Sequence, residues 1–557
     1  MVPPPRSDFS RITVDARFRQ WRTTSCERTV LVVARTTTAL TRLLDVLSLM
    51  EADQRVQIVF THDPASPAIF SAGLDEAMDS LRAPVVPWSK AIRTRFDLAI
   101  AASENDHLHQ LAAPVLLLPH GLGFQKYYPG SRTVAGMNPQ RLLHRGQPVL
   151  SAIALSHSDQ YRQLADSCPE ASSTGVVVGD PCLDRMLASG HMARRYRETL
   201  GATDRTLILL ASTWGPDSLF GLHPTLPERL LAELPVDEYR VAMSLHAGVW
   251  AHGPWQVRAW LSRAREAGLV LLPAHEDWRA AVLAADLVVS DRGSLSLYAA
   301  ATDTPVLLTR ENSATTVPGS PMASLTAQAP HLDTRGDLRA QLDSAVHTHT
   351  PWAYAAITKQ AVDNPGHCAR PLRALLYELL QLTEPDRSPE FPTLPAPGPE
   401  HAGIHALFVG ATMHADGSTS LERLPARPVD KDWSYPHLVA EAEHARLSEV
   451  SAASVVFLPD APDFPAHAAE ALRQWPHALL AAAARGRSCQ LLIRDGTTAA
   501  LTMSGGVDPR LAASLAYVRL QQVGRIPDTD TFRLGERVID VRSVAPAHPD
   551  TGTSADD

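Results

Sequence analysis

LVVSDRGSLSLYAAATDTPVLL, residues 287–308, decides the fold. An apolar run ends in Ser290-Asp291-Arg292-Gly293-Ser294, an alanine-rich segment of helix length follows, and Thr304-Pro305 leads into a second apolar run. Short strands that stay apolar on both faces, joined by a helix-length connection, fit a parallel sheet covered on both sides. In such sheets ligands bind beyond the carboxyl ends of the strands. At this corner Gly293 allows a tight turn and close backbone approach, and Ser294 opens a helix whose free N–H groups suit a phosphate. Arg292 adds a charge-assisted donor. The plainer reading has Ser294 capping its helix and Asp291 forming a turn.

The same alternation extends in both directions. Upstream, DRTLILLASTW (204–214), YRVAMSLHAGVW (239–250) and LVLLPA (269–274) read as strands separated by helices such as HPTLPERLLAELP. An earlier series begins at RTVLVVAR (28–35), with Leu40, Leu43, Leu44 and Leu47 at helical spacing behind it. It continues through RVQIVFTHD, APVVPW, FDLAIAAS and APVLLLPHG. The fold class expected is therefore α/β, with two tandem Rossmann-like domains at 28–190 and 191–383. A Pro-rich linker at 384–402 leads to a smaller α+β domain at 403–545, and the terminal PDTGTSADD reads as a disordered tail.

Composition excludes several functions. With 557 residues, net charge -9 and 45% hydrophobic residues, the chain holds several packed domains and makes a poor general nucleic-acid coat. Lysine occurs only at positions 90, 126, 359 and 431, never after glycine, so there is no GxxxxGK[ST] phosphate loop. The five cysteines are scattered without a CxxC pair, which predicts reduced thiols and no cysteine zinc site. The first residues lack the apolar core of a signal peptide and no run spans a bilayer, so the expectation is a soluble cytoplasmic chain, with peripheral attachment to the inner membrane face left open.

Three further polar corners match the one at 291. Ser212, Thr213, Trp214 and Gly215 follow the first strand of the second domain, His246 ends another of its strands, and His120-Gly121 ends a strand of the first. Within LLIRDGTTAALTMSGGVD, the Asp495-Gly496 and Gly505-Gly506 pairs read as hairpin and loop turns.

Taken in order, these motifs resemble the CDP-glycerol:glycerophosphotransferases of teichoic acid synthesis, which have the two-Rossmann GT-B fold. The matches are the His120-Gly121 pair, a GDPCLD turn with Gly179, Asp180, Pro181 and Asp184, STW at 212–214, His246-Ala247, and ADLVVSDRGSLSLYAAATDTPVLL. They span about residues 28–380 and leave the third domain unexplained.

The resemblance implies attack by an acceptor hydroxyl on the glycerol-bearing phosphorus of CDP-glycerol, with CMP leaving. His120 would be the general base, because an imidazole pKa near ~6.5 suits proton transfer at neutral pH. His246 and the N–H groups at 293 and 294 would stabilise the diphosphate. Ser212, Thr213, Trp214, Gly215, Asp291, Arg292, Gly293 and Ser294 would bind the donor. The reaction demands no metal and no cofactor, only a nucleotide-activated donor and a hydroxyl acceptor.

Departures from the family pattern keep two alternatives open. Gly293 replaces one serine of a pair, Tyr298 stands where the family has an acid, no basic residue follows STW, and Ala247 replaces a proline. A nucleotide-sugar GT-B glycosyltransferase shares the fold. A related sugar-nucleotide epimerase is disfavoured, because Tyr298 and Ala299 stand where ribose-gripping carboxylates would be. A catalytically silent GT-B-like binding scaffold also fits.

Overall fold

In the computed structural model, residues 26–63, 73–119, 121–128, 130–273, 277–310, 315–400, 403–425 and 431–544 are described. His120 and the terminal PDTGTSADD lie outside them. Strand Arg28–Val33 begins a parallel sheet of six strands, in the order Val56–Thr61, Arg28–Val33, Leu98–Ala101, Val115–Leu117, Ala152–Leu155 and Gly175–Val177. Val30 and Val32 pack on one face with helix Thr37–Leu47, and Leu31 and Val33 pack on the other with Trp88 and Phe96. Covering on both faces is why RTVLVV shows no alternation.

The second sheet repeats the plan with parallel strands Val270–Leu271, Tyr239–Leu245, Thr206–Ser212, Leu287–Ser290, Val306–Thr309 and His331–Leu332. Leu207 and Leu209 enter one core and Ile208 and Leu210 the other. Two mixed α/β units with parallel sheets are thus present.

Two helices cross between these units. Pro181–Ala188 leaves the first sheet and buries Cys182, Leu183 and Met186 in a core of the second. Ala369–Leu380 returns the chain to the first sheet, burying Leu372, Leu376 and Tyr377 beside Val30 and Val32. The two crossings touch, because the Asp184 carboxylate accepts the N–H groups of Gly366 at 2.7 Å and Cys368 at 2.6 Å. The Pro-rich segment after them is docked on the second unit. The Leu394 carbonyl accepts the Tyr196 hydroxyl at 2.8 Å, and Glu400 pairs with Leu271 through backbone hydrogen bonds.

The third unit corrects the expected small α+β domain. Its nine strands close into a mixed barrel, in the order Ala406–Met413, Thr419–Pro425, Thr529–Leu534, Arg537–Val544, Thr498–Met503, Ser488–Ile493, Leu480–Arg485, Val455–Phe457 and Ser434–Glu441. Helix Leu511–Val523 fills the interior, packing Leu511, Ala512, Leu515 and Val518 against Leu480, Ala482 and Leu491. Helix Phe464–Gln474 covers the outside against Ala481 and Ala483. The run LAAAAR meets a helix on each face, and its small side chains allow both to approach. Closure depends on distant pairings, such as Ala406 with Ala440 and Ser420 with Arg533, which no local pattern announces. All five cysteines are free thiols, and among the described residues no helix is long and apolar enough to cross a membrane.

Candidate functional site

In the second sheet the chain moves from Thr206–Ser212 to one neighbour and later returns to the other, so the strand order reverses between the ends of Thr206–Ser212 and Leu287–Ser290. A crevice opens at such a reversal. There a cavity of about 270 Å³ lies between the two α/β units. From the second unit, Ser212, Thr213, Trp214, His246 and the run Asp291–Ser294 line it; from the first come Pro119, Gly121 and the segment Leu122–Lys126. Gly215, with φ +91°, lies just outside the lining.

The polar residues at this corner divide into those that build it and those that face the space. Asp291 is fully buried, and its Oδ2 accepts the Thr213 N–H at 2.7 Å, the Thr213 hydroxyl at 2.8 Å and the Leu219 N–H at 3.1 Å. Its Oδ1 makes no hydrogen bond among the described residues. The Ser212 hydroxyl donates to the Thr213 carbonyl at 3.0 Å and accepts the Phe220 N–H at 3.0 Å. These three side chains fix the loop that carries Trp214.

Gly293 supplies close approach, since a Cβ there would come within 2.8 Å of Thr213 Cγ2. It is also the N-cap of helix Ser294–Ala301, with no side-chain cap. Ser294 is therefore the first helical residue. Its hydroxyl has no partner among the described residues, and it meets the first unit at Gly121, whose Cβ position lies 3.1 Å from Ser294 Oγ. Arg292 is buried in the wall.

His246 Nδ1 accepts the Gly248 N–H at 2.9 Å, capping the short helix after it. In the neutral ring that bond puts the proton on Nε2, which makes this edge of the imidazole a donor. The neighbours of His120 on either side, Pro119 and Gly121, line the cavity.

The GDPCLD turn lies behind the cleft floor. Asp180 caps helix Pro181–Ala188 by accepting the Leu183 N–H at 2.7 Å, and it pairs with Arg42 at 2.9 Å. The Tyr298 hydroxyl donates to the same carboxylate at 3.1 Å and contacts Arg42. Burial pushes the Tyr298 phenol well above its ordinary pKa, so it is a neutral donor. Burial works against the Arg42 charge, but the Asp180 carboxylate more than offsets it and the guanidinium pKa rises. A second cluster joins Asp45 Oδ1 to Arg185 and Arg279, both at 2.8 Å.

Arg42, Arg279, Tyr298, Lys126 and Glu104 all line the cavity, although the strand-end reading does not single them out as ligand residues. A charge in an apolar stripe was the available signal: Arg42 and Asp45 interrupt the leucine-rich helix Thr37–Leu47, and both are buried. On the first-sheet side Glu104 is buried and accepts the Gly136 N–H at 2.8 Å as well as the Tyr128 hydroxyl. Nearby Asp106 is raised to about 6, chiefly by burial, despite its pair with Arg35 at 3.1 Å.

These features define a pair of parallel α/β units closing on a polar cleft, with a helix-filled barrel attached. No protein-family model and no curated protein matches the chain. Among solved structures, it is similar to the wall teichoic acid polymerase TagF, at 11% identity and a TM-score of 0.45, over 64% of this chain and 89% of that one. It is similar to HepE of Anabaena in complex with UDP and glucose, at 12% identity and a TM-score of 0.39, over 64% of this chain and all of that one (100%). A structure of S. aureus MnaA with UDP is similar at 13% identity and a TM-score of 0.41, over 66% and 100% of the two chains.

Proposed function

We propose that the chain is a transferase that holds a nucleotide-activated donor in this cleft and passes a glycerol-phosphate or related polyol-phosphate group from a CDP donor to an acceptor hydroxyl. One observation carries the reading: the polar corners Ser212–Trp214, His246 and Asp291–Ser294 at strand ends of the second sheet line a single cavity with Pro119 and Gly121, which follow a strand end of the first. Ser294 presents its hydroxyl and the first-turn N–H groups of its helix to the donor diphosphate, where the helix dipole favours negative charge. His246 donates from Nε2 to the same group. Asp291, Ser212 and Thr213 position the corner, and Trp214 lines the cavity beside them.

His120 takes the proton from the acceptor hydroxyl as its oxygen bonds to the glycerol-bearing phosphorus. The bond from that phosphorus to the bridging oxygen breaks, and CMP leaves with the electron pair. Stabilisation of the departing phosphate rests on Ser294, His246 and the buried Arg292. Sugar transfer from a nucleotide donor is the second reading. It is favoured by Gly293, whose contact with Thr213 leaves no room for the second serine hydroxyl of the polyol-phosphate pattern.

Thermal unfolding of the full chain against CMP, CDP-glycerol, UDP, UDP-N-acetylglucosamine and GDP tests both. A ligand at one hundred times its Kd adds about 2.7 kcal/mol to the unit it binds. Stabilisation by cytidine nucleotides alone supports polyol-phosphate transfer, and stabilisation by uridine or guanosine nucleotides moves the assignment to sugar transfer. No response to any of them, in a folded sample, leaves a silent scaffold.

A further inference from the structure

Away from the cleft, where the chain enters the barrel, three side chains converge. His405 sits just before strand Ala406–Met413, and its carbonyl accepts the Glu441 N–H at 2.8 Å, extending the pairing of Ala406 with Ala440. The chain then turns, with the Ala445 N–H returning to the Glu441 carbonyl at 3.0 Å, and this turn brings His444 back over Glu441. His405 Nδ1 lies 2.7 Å and His444 Nδ1 3.6 Å from the same oxygen, Glu441 Oε2. The two imidazoles stack with centroids 5.1 Å apart, and the ligand atoms of all three residues lie within 4.8 Å of one another.

We propose that His405, Glu441 and His444 form a binding site for a divalent transition metal, zinc foremost. Zinc takes imidazole nitrogen and carboxylate oxygen at about 2.0–2.2 Å, which in a tetrahedral site sets neighbouring ligand atoms about 3.4 Å apart. The two separations from Glu441 Oε2 bracket that spacing and the third pair lies within 4.8 Å, so shifts of about an ångström bring the donors onto one ion. Two imidazoles select against magnesium and calcium, which prefer all-oxygen shells. Glu441 is already oriented for one-oxygen ligation: its Oε1 accepts Arg510 at 2.7 Å, leaving Oε2 toward the histidines. Side-chain exposures of 37% for His405 and 61% for His444 leave the ion a path in and room for water as the fourth ligand.

The site would tie the residue that starts the barrel to the turn after the strand paired with it. Arg510 extends the arrangement inward, to Asp508 at 3.0 Å, on to Arg423 at 2.8 Å, and from there to Asp237 of the second α/β unit at 2.6 Å. Zinc would therefore bind at the outer end of an ion-pair row that fastens the barrel to its neighbour. This proposal is independent of the activity assigned to the cleft.

The test uses the full chain after chelator treatment, titrated with zinc in competition with a chromophoric chelator. The expected result is one tight equivalent per chain and a higher unfolding temperature with zinc. His405→Ala and His444→Ala each weaken binding by at least about tenfold, and the double variant loses the tight equivalent and the thermal shift. His444 is exposed on a turn, so its variant folds, which circular dichroism verifies. His467→Ala, at an exposed histidine of helix Phe464–Gln474, leaves the tight equivalent intact. Tight zinc binding unchanged in the folded double variant, or no tight equivalent in the parent chain, overturns the site.

Discussion

The cleft and the barrel bury polar groups in different ways. Beneath the cleft, charges are buried together: Arg42 with Asp180, linked to the second unit through the Tyr298 hydroxyl, and Asp45 of the first unit between Arg185 and Arg279. Inside the barrel, His437 is buried against the Tyr517 ring at 4.3 Å, with Nδ1 3.0 Å from the Tyr435 carbonyl and Nε2 without a partner among the described residues. The pairs beneath the cleft fix a relationship between two bodies, whereas the barrel's Arg519–Asp530 pair, at 2.6 Å, ties the interior helix to a strand of its own unit. The difference separates an open cleft between two units from an interior filled by its own helix.

Asp180→Ala leaves the Arg42 charge buried beside a neutral Tyr298, which costs about 3–5 kcal/mol. Calorimetry should show the α/β units melting earlier with the barrel transition unmoved; an unchanged melt would mean the floor is not ion-paired. His120→Ala should lower turnover on the identified donor by about 10²–10⁴-fold with the melt intact. Full activity in that variant would remove His120 as the base.

Acid sharpens the contrast, because the two regions respond with opposite sign. Burial lowers His437 to about 4 from an ordinary 6.5, so between those values the unfolded chain holds a proton that the folded barrel refuses. Barrel stability is lost as pH falls through that window, by up to about 3 kcal/mol, and His437→Leu should flatten the slope. Asp106, raised to about 6 from 3.8, keeps a proton when folded that the unfolded chain has released. Its contribution is therefore lost as pH rises from about 4 to 6, and Asp106→Asn should remove that slope. Melting curves at a series of pH values read both. The smallest effect belongs to Ser294→Ala, which should weaken donor binding by about 0.5–1.5 kcal/mol without moving the melt; a large stability loss would show the hydroxyl to be part of the frame.

What could be read in advance follows the range of the signal. The corner at 291 is strand, turn and helix within about ten residues, and each part has a local signal: a β-branched run, a glycine straight after Asp291-Arg292, a serine at the first helical turn. Asp291 shows the limit of such reading. Its place in the lining was legible, but its three hydrogen bonds to Thr213 and Leu219 were not, because those partners lie on another strand's loop. The barrel was harder for the same reason. Its strands announce themselves, while closure and the helix Leu511–Val523 within it depend on pairings between distant segments. The GDPCLD turn supplies Asp180 and Asp184, which support the floor and the crossing through partners distant in sequence.

That crossing has a mechanical consequence. Two segments of backbone pass between the units side by side, clasped by Asp184 and packed so closely that a Cβ on Gly179 would sit 3.2 Å from that of Cys368. A single tether lets two bodies swivel in any direction, whereas a doubled one behaves as a door hinge with one easy axis. Opening and shutting of the cleft would follow that axis, and twisting would strain both segments together. The corner at 291 on one leaf would then meet Gly121 on the other in the same register at every closure.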